Sequence, residues 1–149
     1  MRNVEHDYGI DRRVLDRVRK LMDRATGDAL IGRYRQHERL FPKTEAKDRH
    51  VAAAAVAARK RAGTETVTII TWNLRHFDRN ELAKAGVAAE GPDVFLCRLL
   101  ADSPESAVVA FIRMRDNLRN PRRTTRECAD TLAAQGLSKF AALITEILA

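Results

Sequence analysis

The feature that most constrains this chain is the run Val67-Thr68-Ile69-Ile70-Thr71-Trp72, which is apolar and β-branched and stops abruptly at Asn73. A run of about 4–8 such residues suits a strand covered on both faces, as in a parallel sheet, whereas a buried helix needs about 10–12. Upstream, Asp48-Arg49-His50-Val51 leads into an alanine-rich stretch through Ala58. That pattern predicts a helix starting near Asp48 and packing closely through its small side chains. A helix followed by a buried strand is half of a βαβ unit, and ligands of such sheets collect beyond the carboxyl ends of the strands. Asn73 stands at that end, and the helix start can bring Asp48 beside it. Chemistry is expected there.

At 149 residues the chain holds one domain, or one domain with a small appendage. No apolar run approaches the ~20 residues that span a membrane, and residues 1–6 lead into no signal-type apolar core, so a cytoplasmic, membrane-free protein is expected. Lysine and arginine number 27 against 20 acids, a net charge of +7. Such a surface attracts polyanions, chiefly nucleic acid, or an acidic protein partner. Cys97 and Cys128 lie far apart in apolar surroundings and read as small core residues.

Along the chain, Asp11 is placed to cap a helix through Ala25, with Val14, Leu15, Val18, Leu21 and Met22 on one face and Gly27 as its stop. Asp28-Ala29-Leu30-Ile31-Gly32 reads as a short strand, residues 34–40 as a turn or two of helix, and residues 41–47 as a polar loop. After the central strand come a short helix over 80–85 closed by Gly86, a strand over 87–89 and a helix over 93–100 opened by Pro92. Beyond residue 102 only helices are expected. Ser103-Pro104-Glu105 opens one to about Leu118, and Asn120-Pro121 interrupts it. Thr124-x-x-Glu127 is a capping-box pattern for the next, and Ser138 is placed to cap the last.

Asp48 has two readings: an N-cap worth about 1 kcal/mol, or a hard oxygen ligand for Mg²⁺ or Mn²⁺. Asn73 is either a turn residue or a neutral oxygen ligand. Asp78 is a third oxygen donor if the turn after Phe77 folds it back. His50 reads as packing against the helix start, and His76 is ambiguous. No His/Cys spacing fits zinc, and no glycine-rich phosphate loop or nucleophile elbow is present.

The segments Asp48-Arg49-His50-Val51-Ala52-Ala53-Ala54 and Thr71-Trp72-Asn73-Leu74-Arg75-His76-Phe77 resemble the D-R-H-V-x-A-A-A and T-x-N-L-x-D-F-P patterns of VapC-like toxins of the PIN-domain family. Gly86-Val87 and Pro92-Asp93-x-Phe95-Leu96 fit the same pattern, and the tail from Leu118 resembles the helical C-terminal extension of one subgroup. The resemblance implies a Rossmann-like α/β three-layer PIN domain with a parallel sheet over residues 1–101 and a small helical extension over 102–149. It implies Mg²⁺- or Mn²⁺-dependent cleavage of single-stranded RNA by the toxin of a toxin–antitoxin pair, with RNA and an antitoxin protein as partners.

By motif position Asp48 matches a family acid, and Asn73 stands where many members carry a further Asp. His76 replaces the Asp of the second pattern, and Asp78 replaces its Pro. The catalytic set expected here is Asp48, Asn73 and Asp78, with Asp48 and Asn73 on the metal. Met1-Arg2-Asn3-Val4 matches the region after the family's first strand and its Glu-bearing helix, so a truncated, weakly active copy is expected, with strand edges that favour a homo-oligomer. Two alternatives stay open. One is a non-catalytic remnant that binds antitoxin or RNA. The other is helix-turn-helix-like DNA binding by residues 103–149, with Arg119, Arg122, Arg123 and Arg126 on the connection.

Overall fold

The computed structural model describes residues 9, 11–26 and 30–149. Helix α1 (Arg12–Ala25) starts where expected, with the Asp11 carboxylate accepting from the Arg13 N–H at 2.7 Å. Its stop at Gly27 lies outside the described residues. The apolar stripe predicted for α1 is present but faces out: Val14, Val18, Leu21 and Met22 are all exposed. The strand expected over 28–32 is corrected in part. Residues 30–32 form no strand, Leu30 is exposed, and Arg33 takes φ 55°, which turns the chain out of extended geometry. Residues 28 and 29 lie outside the described residues.

A 3₁₀ turn (Arg35–Leu40) leads to the buried Phe41, and helix α2 (Arg49–Ala62) follows. Its alanines act as predicted. Ala52, Ala53 and Val56 are buried, and small side chains let α2 lie close against the sheet. The stop at Gly63 is left-handed, with φ 66°, and the Gly63 N–H returns to the carbonyls of Arg59 and Lys60.

Strand β1 (Val67–Ile70) pairs in parallel with β2 (Val87–Glu90), Val67 opposite Val87 and Ile70 opposite Glu90. Parallel strands need a crossover, and this one contains a 3₁₀ turn (Leu74–His76) and the short helix α3 (Arg79–Lys84). The first core gathers Phe41, Ala52, Val56, Ile69, Phe77, Leu82 and Val87 around this unit. Gly86 enters β2 at φ 67°, and a Cβ there would lie 2.8 Å from the Glu65 carbonyl oxygen. Only glycine fits that approach.

Helices α4 (Pro92–Asp102), α5 (Pro104–Asn117), α6 (Thr125–Ala134) and α7 (Ser138–Ile147) make the rest, so the described chain is mostly helical with a two-stranded parallel sheet. A second core unites Leu100, Phe111, Cys128, Ala129, Phe140, Ala141 and Ile144. Thr124 and Glu127 form the predicted capping box of α6. The cap predicted for α7 is corrected. Leu137 holds the N-cap position, and Ser138 is already helical. The N–H groups of Lys139 and Phe140 donate instead to the Asp93 carboxylate, at 3.2 and 2.9 Å, from 46 and 47 residues away. Asp93 therefore ties α4 to α7 and satisfies donors that α7 cannot satisfy locally. Among the described residues, no helix is long and apolar enough to cross a membrane.

Candidate metal centre

Three side chains with ligating atoms converge beside the start of α2. One atom each from Glu45, Asp48 and His76 lies within 4.8 Å of the others. Asp48 holds the N-cap position of α2, but its backbone is helical (φ −109°, ψ −5°) and its side chain accepts no capping hydrogen bond. A cap would stabilise the helix by about 1 kcal/mol. The Asp48 carboxylate turns instead to His76, whose Nδ1 lies 2.8 Å from Oδ2.

His76 is only 7 % exposed. Its Nε2 lies 3.4 Å from Glu45 Oε1 and accepts from the Arg75 Nε–H at 3.4 Å. The imidazole is thus held between two carboxylates, Asp48 at Nδ1 and Glu45 at Nε2. A carboxylate behind a ligating histidine fixes its tautomer and makes the other nitrogen a better donor.

The loop that carries Glu45 and Asp48 is held on both sides. Glu81, on α3, accepts from the Lys43 N–H at 2.8 Å and from the Thr44 N–H at 3.1 Å, and the Thr44 hydroxyl donates to it at 3.3 Å. Arg49 donates to the carbonyls of Thr44 and Pro42 at 2.9 and 2.7 Å. The Glu45 N–H donates to the His76 carbonyl at 2.9 Å, which locks loop to turn. Lys47 lies 3.2 Å from Glu45 Oε2, which leaves Oε1 facing His76.

Of the residues singled out from the sequence, Asp48 is in the cluster. Asn73 opens the 3₁₀ turn that carries His76. Its N–H donates to Thr71 Oγ1 at 3.1 Å and its carbonyl accepts from the His76 N–H at 3.0 Å. Asp78 caps α3, with Oδ1 accepting from the Glu81 N–H at 2.9 Å. His50, expected to pack against the helix start, is exposed. Glu45 and the role of His76 went unread in sequence. The available signal was the spacing Glu45-x-x-Asp48 across one turn, together with a histidine where the resembled motif has an acid.

Two carboxylates and an imidazole suit a divalent cation of intermediate softness. Oxygen-only donors would favour Mg²⁺, whereas an imidazole nitrogen shifts the set toward Mn²⁺ and later metals.

Residues 92–146, which take in α4 through most of α7, match the family model described as the VapC50 C-terminal domain. No curated protein and no solved structure matches the chain. The matched segment is the one whose tail resembled a helical toxin extension, and it holds the second core and the Asp93 tie.

Proposed function

We propose that this chain is a VapC-like toxin that cleaves single-stranded RNA with a divalent cation held by Glu45, Asp48 and His76. The observation that carries the reading is the turning of Asp48 away from its own helix cap and onto a buried histidine. The family match over 92–146 supports the toxin assignment and, with it, an antitoxin partner. Asn73 and Asp78 flank the 74–76 turn and stay in the proposal as secondary oxygen donors. The proposed division is a PIN-like unit over 1–101 and the helical extension over 102–149. Open backbone on the outer edge of β1, which pairs only with β2 among the described residues, favours a homo-oligomer.

When bound, the cation supplies charge stabilisation at the scissile phosphate and an acidified water. The protein's own residues do the rest. Asp48 orients the imidazole through Oδ2, 2.8 Å from Nδ1, and its negative charge helps hold the cation. Glu45 brings a negative charge that draws in the cation. Arg75, whose Nε–H points at Nε2 from 3.4 Å, moves off that nitrogen when the cation takes it and is then free to pair with a phosphate oxygen. Mn²⁺ is favoured over Mg²⁺ because imidazole is one of the three donors.

The test is Mn²⁺ binding by calorimetry together with cleavage of an end-labelled single-stranded RNA. Asp48→Asn should weaken Mn²⁺ binding about 10–100-fold, the usual cost of losing a carboxylate behind a ligating histidine. Cleavage should be faster with Mn²⁺ than with Mg²⁺ and should stop in EDTA. Cleavage that survives EDTA, or that ignores Asp48→Asn, would overturn the assignment.

A further inference from the structure

A concave site lies at the turn between α5 and α6, where the sequence is unusually basic. The cleft has a volume of about 820 Å³ and is lined by Arg115, Arg119, Arg122 and Arg123 with Asp116 and Asn120. Arg119 and Arg122 face each other across an antiparallel bridge. Side chains opposite one another in such a pair lie close, and like charges there repel. Among the described residues, Arg119 and Arg122 make no side-chain hydrogen bond or ion pair that would relieve this, and both are exposed.

The acids nearby are already engaged. Asp116 Oδ1 accepts from Arg115 Nε at 2.9 Å and lies 2.8 Å from its terminal nitrogen, while Arg115 also donates to Thr125 Oγ1 at 3.0 Å. Arg115 is thus part of a fixed wall. Glu127, the acid that feels the charge of Arg123, turns Oε2 back to the Thr124 N–H and hydroxyl at 2.8 and 3.0 Å. What is left is a concave surface with three guanidinium groups that make no hydrogen bond or ion pair among the described residues, and guanidinium matches phosphate oxygens in bidentate geometry.

We propose that this cleft binds the phosphate backbone of single-stranded nucleic acid through Arg119, Arg122 and Arg123. A duplex reader would instead lay α6 in the major groove. Its exposed residues include Arg126 but also Glu127 and Asp130, which phosphates would repel, and Arg119, Arg122 and Arg123 lie on the turn before it. A flexible single strand can enter a cleft that a rigid duplex cannot. The lining includes no aromatic side chain for base stacking, so binding is sequence-tolerant and driven by charge. The inference goes beyond the metal-dependent reading and holds in EDTA whether or not that reading survives.

The probes are fluorescein-labelled U12 RNA, dT12 and a 12-base-pair DNA duplex, with binding read by anisotropy in EDTA across a KCl series. Three phosphate contacts on a single strand give a slope of log K against log[KCl] of about −2. Replacing Arg119, Arg122 and Arg123 together with alanine should remove that slope and weaken U12 binding roughly 100-fold at 0.1 M KCl. The matched triple Arg12→Ala, Arg13→Ala, Arg17→Ala on α1 removes the same charge and should change binding far less. U12 and dT12 should bind alike, and both more tightly than the duplex. Equal losses in the two triples, preference for the duplex, or no U12 binding at low salt would overturn the proposal. If the cleft triple does not fold, phenylglyoxal labelling of the unaltered chain decides. U12 should protect Arg119, Arg122 and Arg123 ahead of the α1 arginines, and uniform protection would refute the cleft.

Discussion

Removing the carboxylate of Glu81 tests whether the loop bearing Glu45 and Asp48 is held as its contacts indicate. Glu81→Ala takes the acceptor from three donors, on Lys43 and Thr44. Thr44 is 1 % exposed, so its N–H is left without water, which costs about 1–3 kcal/mol. The Lys43 N–H is exposed and recovers a water, so its loss is about 0.5–1 kcal/mol. The Thr44 hydroxyl donates to Glu81 at 3.3 Å, the longest of the three contacts, and its loss adds least to the difference. An acid in the first turn of α3 adds about 0.3–1 kcal/mol that alanine lacks. The sum is a loss of about 2–5 kcal/mol. Glu81→Gln keeps one acceptor oxygen and should lose about half as much. Urea unfolding followed by circular dichroism measures both. The same variants report on the site: the loop that presents Glu45 and Asp48 loosens, so Mn²⁺ affinity should fall in the same order. A Glu81→Ala chain within about 0.5 kcal/mol of the parent, or one with unchanged Mn²⁺ affinity, would refute the reasoning.

Two further outcomes are expected. Asp93→Ala strips the acceptor from the first turn of α7 and should destabilise the chain by about 1–2 kcal/mol, with Asp93→Asn recovering part of the loss, both read from urea midpoints. Gly86→Ala must relieve a 2.8 Å approach to the Glu65 carbonyl while holding φ 67°, and should lose at least about 1–3 kcal/mol in the same assay, because neither backbone can yield without parting β1 from β2.

What the sequence determined by itself was local. The β-branched run at 67–70, the alanine helix at 49–62, the Asp11 cap and the Thr124–Glu127 box were legible because each is written within one or two turns of chain. Backbone donors and acceptors at such ends are satisfied by neighbours in sequence, so residue types there have little freedom. The sequence also set the charge, including the arginines between α5 and α6. It left open whether Asp48 is a cap or a ligand.

Only the tertiary structure turned Asp48 away from the cap and onto His76. The same carboxylate can serve a backbone N–H three residues on or a histidine 28 residues away, and packing of the 3₁₀ turn against the loop brings His76 to 2.8 Å. Glu81 is recruited to the loop 37 and 38 residues earlier, and Asp93 to a helix 46 residues later, because each carboxylate reaches N–H groups that their own segments leave unmet. The stripe on α1 marks the converse limit: periodicity fixes which face of a helix is apolar, but whether that face is covered depends on which neighbours the fold places beside it.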